Sequence, residues 1–334
     1  MLKFGVTILP DPPYTRFLEL TQLAEQAGFD QVWTYDSHIL WHDAYPLLAL
    51  AADRTERVLL GHCVTNPGIR DPTVTASSYA TLQAISQGRM VLGIGRGDSS
   101  RRVIGLEPVP MREFEDSLKM IKSMMNGGKV DWNGKELELV WAKDLGRVPL
   151  QVAAYGPKAL AVAGRVGDGV IVQLADPDLT QWFMEQARAA ANAAGRDGSA
   201  LECIVSAPAF ISADMELARS ETRWFPAMVS NHVVDLLTRT DPATLPAALI
   251  TYVERRKFYD YKDHSRRGAE HGEFVDDETC DAFSVLGTVD EHIAKLERLV
   301  AAGMTQFNIY LMTQGQEQIL ETYRTEIMPH FRGK

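Results

Sequence analysis

Short apolar runs alternate with longer helical patterns from one end of this chain to the other, and no other feature restricts its folding so tightly. Leu2–Ile8 reads as a strand and Tyr14–Ala27 as a helix closed by Gly28; Gln31–Tyr35 is the next strand, followed by a helix over Pro46–Asp53. Val58–Val64 and Met90–Ile94 are further strands, separated by a helix over Val74–Ile85. Each run is bounded by Gly, Pro, Asp or Asn, the punctuation of buried parallel strands. After a helix at Met111–Met125, Gly127 and Gly128 break the chain. Val130–Val140 then alternates around Asn133 and Gly134, a two-residue turn signal that predicts a surface hairpin. The rhythm resumes with Leu150–Ala154, a helix at Lys158–Arg165, Val170–Leu174 and an Ala-rich helix at Leu179–Ala194. Strands at Leu201–Ile211 and Gln306–Leu311 complete it. Eight strands with interleaved helices predict an α/β fold, a (β/α)8 TIM barrel made by the whole chain, residues 1–334.

One region breaks the rhythm. Residues 212–284 lack a clear strand, are rich in charge and aromatics, and precede the last strand. An insertion there sits at the catalytic end of a barrel, where the βα loops emerge. Trp224, Tyr252, Tyr259, Tyr261, Arg255 and Arg266 within it suit a lid or pocket wall for an aromatic or anionic molecule, and equally a helical subunit interface.

Charge removes whole classes of partner. With 34 Lys plus Arg against 44 Asp plus Glu, the formal charge is -10, which disfavours nucleic acid and anionic membranes. The densest basic run, Arg255, Arg256 and Lys257, is flanked by acids. No apolar stretch reaches the ~18 residues that span a membrane, and the apolar start breaks at Pro10, too early for a secretory leader. Cys63, Cys203 and Cys280 are odd in number and far apart, without a C-x-x-C pair, so no disulfide framework or zinc site is read. These features predict a cytoplasmic protein with no nucleic-acid or membrane partner.

The chemistry concentrates at strand ends. The second strand runs into Asp36, Ser37 and His38; the third into Thr65, Asn66 and Pro67; the fourth into Gly95, Arg96, Gly97 and Asp98; the fifth into Tyr155, Gly156, Pro157 and Lys158. All converge on the C-terminal mouth of one barrel. The glycine run Gly93–Gly97 is neither a dinucleotide fingerprint nor a P-loop, since Asp98 follows it and the next clear helix waits beyond Pro108 and Pro110. A backbone with so little bulk admits a flat ring or a phosphate, or simply makes a tight loop. Gly156-Pro157-Lys158 looks like a helix start whose N–H groups suit an anion. His38 and His42, with Asp36 and Asp43, lack the H-E-x-x-H spacing and read as a polar or ligand-facing pair, so no metal is predicted. His264 and His271 read as a solvated charged loop.

Several of these motifs, in this order, resemble the bacterial-luciferase-like superfamily of flavin and deazaflavin oxidoreductases. They are Thr65-Asn66-Pro67, Gly93–Asp98, Ala154–Leu160, Gly164–Ile171 and Leu286-Gly287-Thr288. The likeness covers essentially the whole chain and looks strongest toward the methylenetetrahydromethanopterin-reductase-like branch, dependent on coenzyme F420. It implies a barrel with an insertion near its last strands, and a non-proline cis peptide at the end of the third strand. By motif that bond is Cys63–Val64, followed by Thr65 and Asn66. It further implies Asp36 and His38 as catalytic residues at the reactive edge of the ring, with Gly95, Arg96, Gly97 and Asp98 beside it. Tyr155, Gly156, Pro157 and Lys158 would hold ribityl and phosphate groups, while Gly169 and Val170 offer backbone N–H donors with Gln173 nearby. Ser37 departs from the family pattern by separating Asp36 from His38.

The function so implied is hydride transfer between a reduced deazaflavin, coenzyme F420, and a small organic substrate. The alternative is an FMN-dependent monooxygenase using molecular oxygen and a partner flavin reductase. A third reading is a flavin carrier without turnover, which the polar strand ends argue against. The resemblance also implies a homodimer.

Overall fold

The computed structural model describes residues 1–239, 241, 243, 245, 246, 250 and 259–333. Tyr252, Arg255, Arg256 and Lys257 lie outside them. Eight parallel strands close into a barrel: β1 (Lys3–Ile8), β2 (Gln31–Thr34), β3 (Leu59–His62), β4 (Met90–Ile94), β7 (Leu150–Ala153), β8 (Gly169–Val172), β9 (Glu202–Ala207) and β12 (Gln306–Tyr310). Their order around the ring follows the chain, with β12 pairing β1 to complete it. The helices on the outside include α1 (Tyr14–Gln26), α2 (Ala44–Arg54), α3 (Pro72–Ile85), a single turn α4 (Ser99–Arg102), α5 (Met111–Met125), α6 (Pro157–Val166) and α7 (Pro177–Ala193). The two short strands between α5 and β7, β5 (Val130–Trp132) and β6 (Lys135–Leu137), form the expected antiparallel hairpin.

Helix starts are written in the sequence. Asp43 accepts from Tyr45 N at 3.1 Å to begin α2, Asp71 caps α3 ahead of Pro72, and Asp176 caps α7 ahead of Pro177. At the bottom of the barrel Asp168 accepts from Leu150 N and pairs with Lys122 and Arg147, tying α5 to β7.

Trp33 is fully buried inside the barrel. An added Cβ at Gly61 on β3 would stand 2.0 Å from Val91 O and 3.0 Å from the Trp33 ring. At Gly93 on β4 it would stand 2.0 Å from His62 O and 3.1 Å from the same ring. The indole therefore occupies space that ordinary side chains on its neighbours would fill.

Two expectations are corrected. Leu201–Ile211 is not one strand: Pro208, which has no N–H to give a ladder, breaks it. β9 stays in the barrel, and β10 (Ala209–Ile211) turns out to pair in parallel with β11 (Val285–Gly287). The glycine run also opens into helix sooner than expected, because Asp98 leads directly into α4. Between β10 and β11 the described residues are helical: α8 (Met215–Thr222), α9 (Trp224–Arg239), short turns at Tyr261–Asp263 and Glu270–Gly272, and a helix at Asp277–Phe283. Among the described residues no helix is long and apolar enough to cross a membrane.

Replacing Gly93 by Ala is expected to destabilise the protein by about 3 kcal/mol through overpacking. Gly272→Ala, where the new methyl meets nothing nearer than 3.6 Å, should change stability by less than about 0.5 kcal/mol. Urea unfolding of both variants checks this; equal midpoints would show that the barrel yields freely around Trp33.

Candidate active site

Because all eight strands run the same way, their C-terminal ends meet at one mouth, and a cavity of about 380 Å³ opens there. Its floor is the end of β3, where the Cys63–Val64 peptide is cis. Thr65 N donates to Gly93 O and Gly95 N to Thr65 O, so β3 and β4 remain joined past their regular ends. Gly95 lies against Val64: a Cβ there would be 3.1 Å from Val64 Cγ2. Burial pushes the Cys63 thiol up to about 11, so the sulfur beneath this floor is neutral.

The polar groups of the wall come in pairs from successive strand ends. Asp36 Oδ2 accepts from Thr65 Oγ1 at 2.6 Å, and the Thr65 hydroxyl also reaches Tyr45 OH at 3.2 Å. Ser37 Oγ lies 2.8 Å from Ser99 Oγ, and Asn66 Nδ2 donates to Ser100 Oγ at 2.9 Å. Gly97 takes φ +81°, a left-handed conformation that turns the chain tightly over Asn66 into Asp98.

Asp98 gathers three elements. Its carboxylate accepts from Arg102 Nε at 2.7 Å within α4 and from Tyr261 OH at 3.3 Å, and lies 3.5 Å from His232 Nε2 on α9. Burial acts to raise the Asp98 pKa, but the contact with His232 and the charge near it, with Arg102 and His264, outweigh this and bring it to about 2.

On the adjoining wall, past the end of β7, Tyr155 OH donates to Gln173 Oε1 at 2.6 Å, and Gln173 Nε2 donates to Tyr310 OH at 2.5 Å. Beside Tyr155, Gly156 leads into α6. No side chain caps this helix, Pro157 occupies its first turn, and the exposed Lys158 stands at the same edge of the cavity. Free N–H groups, the helix dipole and an ammonium thus meet at one end of the chamber.

Most residues singled out from sequence line this cavity: Asp36, Cys63, Val64, Thr65, Asn66, Gly95, Arg96, Gly97, Asp98, Tyr155, Gly156, Pro157, Lys158 and Gln173. Three do not. His38 is exposed and off the cavity, because the chain turns outward after Asp36 and Ser37 takes the inward place. Gly169 and Val170 sit at the start of β8, the far end of a strand whose other end meets the mouth. Gly169 is a packing residue, since a Cβ there would be 2.2 Å from Gln151 Oε1. Arg96 lines the cavity with its Nε bound to Val109 O at 2.7 Å, and Gln173 engages both ends of its amide with Tyr155 and Tyr310.

The luciferase-like monooxygenase model matches residues 2–306. The chain belongs to that family. It is 32% identical over 313 residues to a 5,10-methylenetetrahydromethanopterin reductase of Methanolobus tindarius, covering 91% of this chain and 93% of the relative. It is 30% identical to an F420-dependent glucose-6-phosphate dehydrogenase of Beutenbergia cavernae, covering 95% and 93%. The solved structure of a coenzyme F420-dependent tetrahydromethanopterin reductase from Methanopyrus kandleri superposes with a TM-score of 0.75 at 25% identity over 99% of each chain. The chain is accordingly an oxidoreductase of luciferase-like type.

The luciferase-like cavity also has residues that sequence reading missed. Met228, Asn231 and His232 line it from α9, and His264 from the stretch after Tyr261. The three on α9 are spaced three and one apart, which puts them on one helical face, the only signal the sequence held.

Just below the floor, His62 is buried with Nδ1 2.6 Å from Tyr79 OH, and burial pushes its pKa down to about 4. The unfolded value is ~6.5, so the folded state binds fewer protons between those two pH values. The contribution to stability is therefore full above about pH 6.5 and is lost as pH falls toward 4. Relative to wild type, His62→Gln should be most destabilised at pH 7, with the gap in urea midpoint narrowing steadily to pH 4.5. A gap independent of pH would contradict a neutral buried His62.

Proposed function

We propose that this luciferase-like oxidoreductase works with a deazaflavin coenzyme of the F420 type, exchanging a hydride with a small organic substrate at a carbon–oxygen or carbon–nitrogen bond. The observation that carries this reading is the two-ended cavity. One end is a flat floor of backbone and small side chains, Cys63, Val64, Gly95, Ala153 and Ala154; the other is the uncapped N-terminus of α6 with Lys158. A planar ring bearing a phosphorylated tail has the complementary chemistry, apolar at one end and anionic at the other. The relatives' names favour the deazaflavin over FMN, since both curated relatives and the structural relative above are reductases or dehydrogenases, two of them named for F420.

When bound, such a coenzyme supplies or takes up a hydride. The protein's own contribution is placement and shielding. Val64 and Gly95 would support the ring face, while the N–H groups of Lys158 and Ala159 with the Lys158 ammonium would hold the phosphate. Asp36, fixed by Thr65, and Ser37, fixed by Ser99, would orient a substrate's polar group at the ring edge. Orientation and exclusion of water are what such a site adds to chemistry that the coenzyme already carries.

Fluorescence titration with coenzyme F420 and, separately, with FMN tests the reading. F420 should bind at least tenfold more tightly, and Lys158→Ala should weaken it about tenfold, the loss of one charge-assisted hydrogen bond. Turnover should then be sought with glucose 6-phosphate, 5,10-methylenetetrahydromethanopterin and 2-propanol, anaerobically. Tighter binding of reduced FMN with oxygen-dependent oxidation would instead establish a monooxygenase.

A further inference from the structure

His232 is held in the cavity wall between Tyr155 and Asp98. Its Nδ1 lies 3.1 Å from Tyr155 OH. That hydroxyl has a single hydrogen, and it is donated to Gln173 Oε1, an atom that only accepts. The Gln173 amide donates onward to Tyr310. With that hydrogen given to Gln173, Tyr155 is left to accept, and His232 donates to it from Nδ1. The proton on Nδ1 is structural, and Nε2 is the nitrogen left to gain or lose one.

Nε2 is the nitrogen on the Asp98 side of the ring. Asp98 Oδ2 lies 3.5 Å from it, at the long end of hydrogen-bond range, so the carboxylate is close enough to orient the ring while holding that N–H only loosely. Asp98 is itself steadied by Arg102 and Tyr261. Both His232 and Asp98 line the cavity, whereas His38, the histidine expected there, is outside it. His264, the other histidine of the lining, has its Nδ1 2.6 Å from Tyr259 OH and stacks on Tyr261.

We propose that His232 is the acid–base residue of this oxidoreductase, exchanging a proton with the substrate at Nε2, with Tyr155 and Asp98 as its positioning residues. This rests on the hydride-transfer reading above. In the reducing direction the substrate carbon gains a hydride, and the π pair of its C=O or C=N bond moves to the heteroatom. That atom forms a bond to the Nε2 proton as the Nε2–H bond breaks. The two electrons would come with the hydride from the reduced deazaflavin, were it bound; His232 is left neutral and recovers its proton from water. Oxidation of an alcohol runs the same steps backward.

Two readouts test this. In free protein labelled with 15N-histidine, His232 should keep Nδ1 protonated whether or not Nε2 carries a proton; a bare Nδ1 would overturn the assignment without any coenzyme present. Coenzyme F420 titration and steady-state turnover of His232→Asn follow. Asn sets an amide where Nδ1 was, keeping the bond to Tyr155 while removing Nε2, and His232→Gln serves if that variant does not fold. The expected result is coenzyme affinity within about twofold of wild type and kcat lowered by about 100-fold or more. A kcat within about threefold overturns the role of His232 while leaving the hydride-transfer reading intact. Wild type that binds coenzyme but turns over none of the three substrates overturns both the substrate class and this role. Failure of wild type to bind coenzyme F420 at all overturns the reading on which the role rests.

Discussion

A tryptophan inside an eight-stranded barrel leaves no room for its neighbours, and the rest of this molecule is arranged around that fact. Trp33 on β2 fills the interior, and β3 and β4 yield by presenting Gly61 and Gly93. With no Cβ between them the two strands keep close contact, and the contact continues past their regular ends through Thr65, Gly93 and Gly95. This continuation brings the cis Cys63–Val64 peptide beside Gly95 and makes the floor of the cavity. Core packing and site geometry are therefore one construction: a methyl added at Gly93 would press on the barrel and on the carbonyl of His62, one residue before the floor.

Above that floor the organising force is electrostatic. A chain of formal charge -10 places one carboxylate, Asp98, where α4, α9 and the turn at Tyr261–Asp263 converge. Burial alone would favour its neutral form, but the surrounding donors and charges hold it ionised. The segment between β10 and β11 is joined to the barrel by the ion pair of Arg266 with Asp11, and Arg267 ties it internally to the buried Glu221, which also accepts from Gln314 N beyond β12. These contacts make the segment a wall of the cavity, and they bring His232 and His264 to it.

Much of this was legible in the sequence, for reasons that differ by residue. The eight strands were readable because buried parallel strands are short apolar runs between breakers, and the helix starts because Asp43, Asp71 and Asp176 satisfy free N–H groups locally. The residues after each strand were readable as the lining of one cavity because a parallel barrel delivers all its strand ends to one mouth. His38 misled because the sequence says which residue follows Asp36 but not which way the turn carries it. Gly169 misled because a glycine that admits a ligand and one that admits a neighbouring Gln151 look alike in a sequence.

What the sequence by itself determined is everything that local periodicity and chain direction fix: the barrel, the order of its strands and the end at which its chemistry lies. What only the tertiary structure decided is which groups from distant segments meet there. Asp98 and His232 are separated by 134 positions, 232 minus 98, and come within 3.5 Å because α9 is laid back across the mouth. Tyr155, Gln173 and Tyr310 form one directed chain of hydrogen bonds only once β7, β8 and β12 are closed around the same axis. Hydrogen bonds and charge pairs act over a few ångströms, so their partners are chosen by the packing of the whole chain, not by its local order.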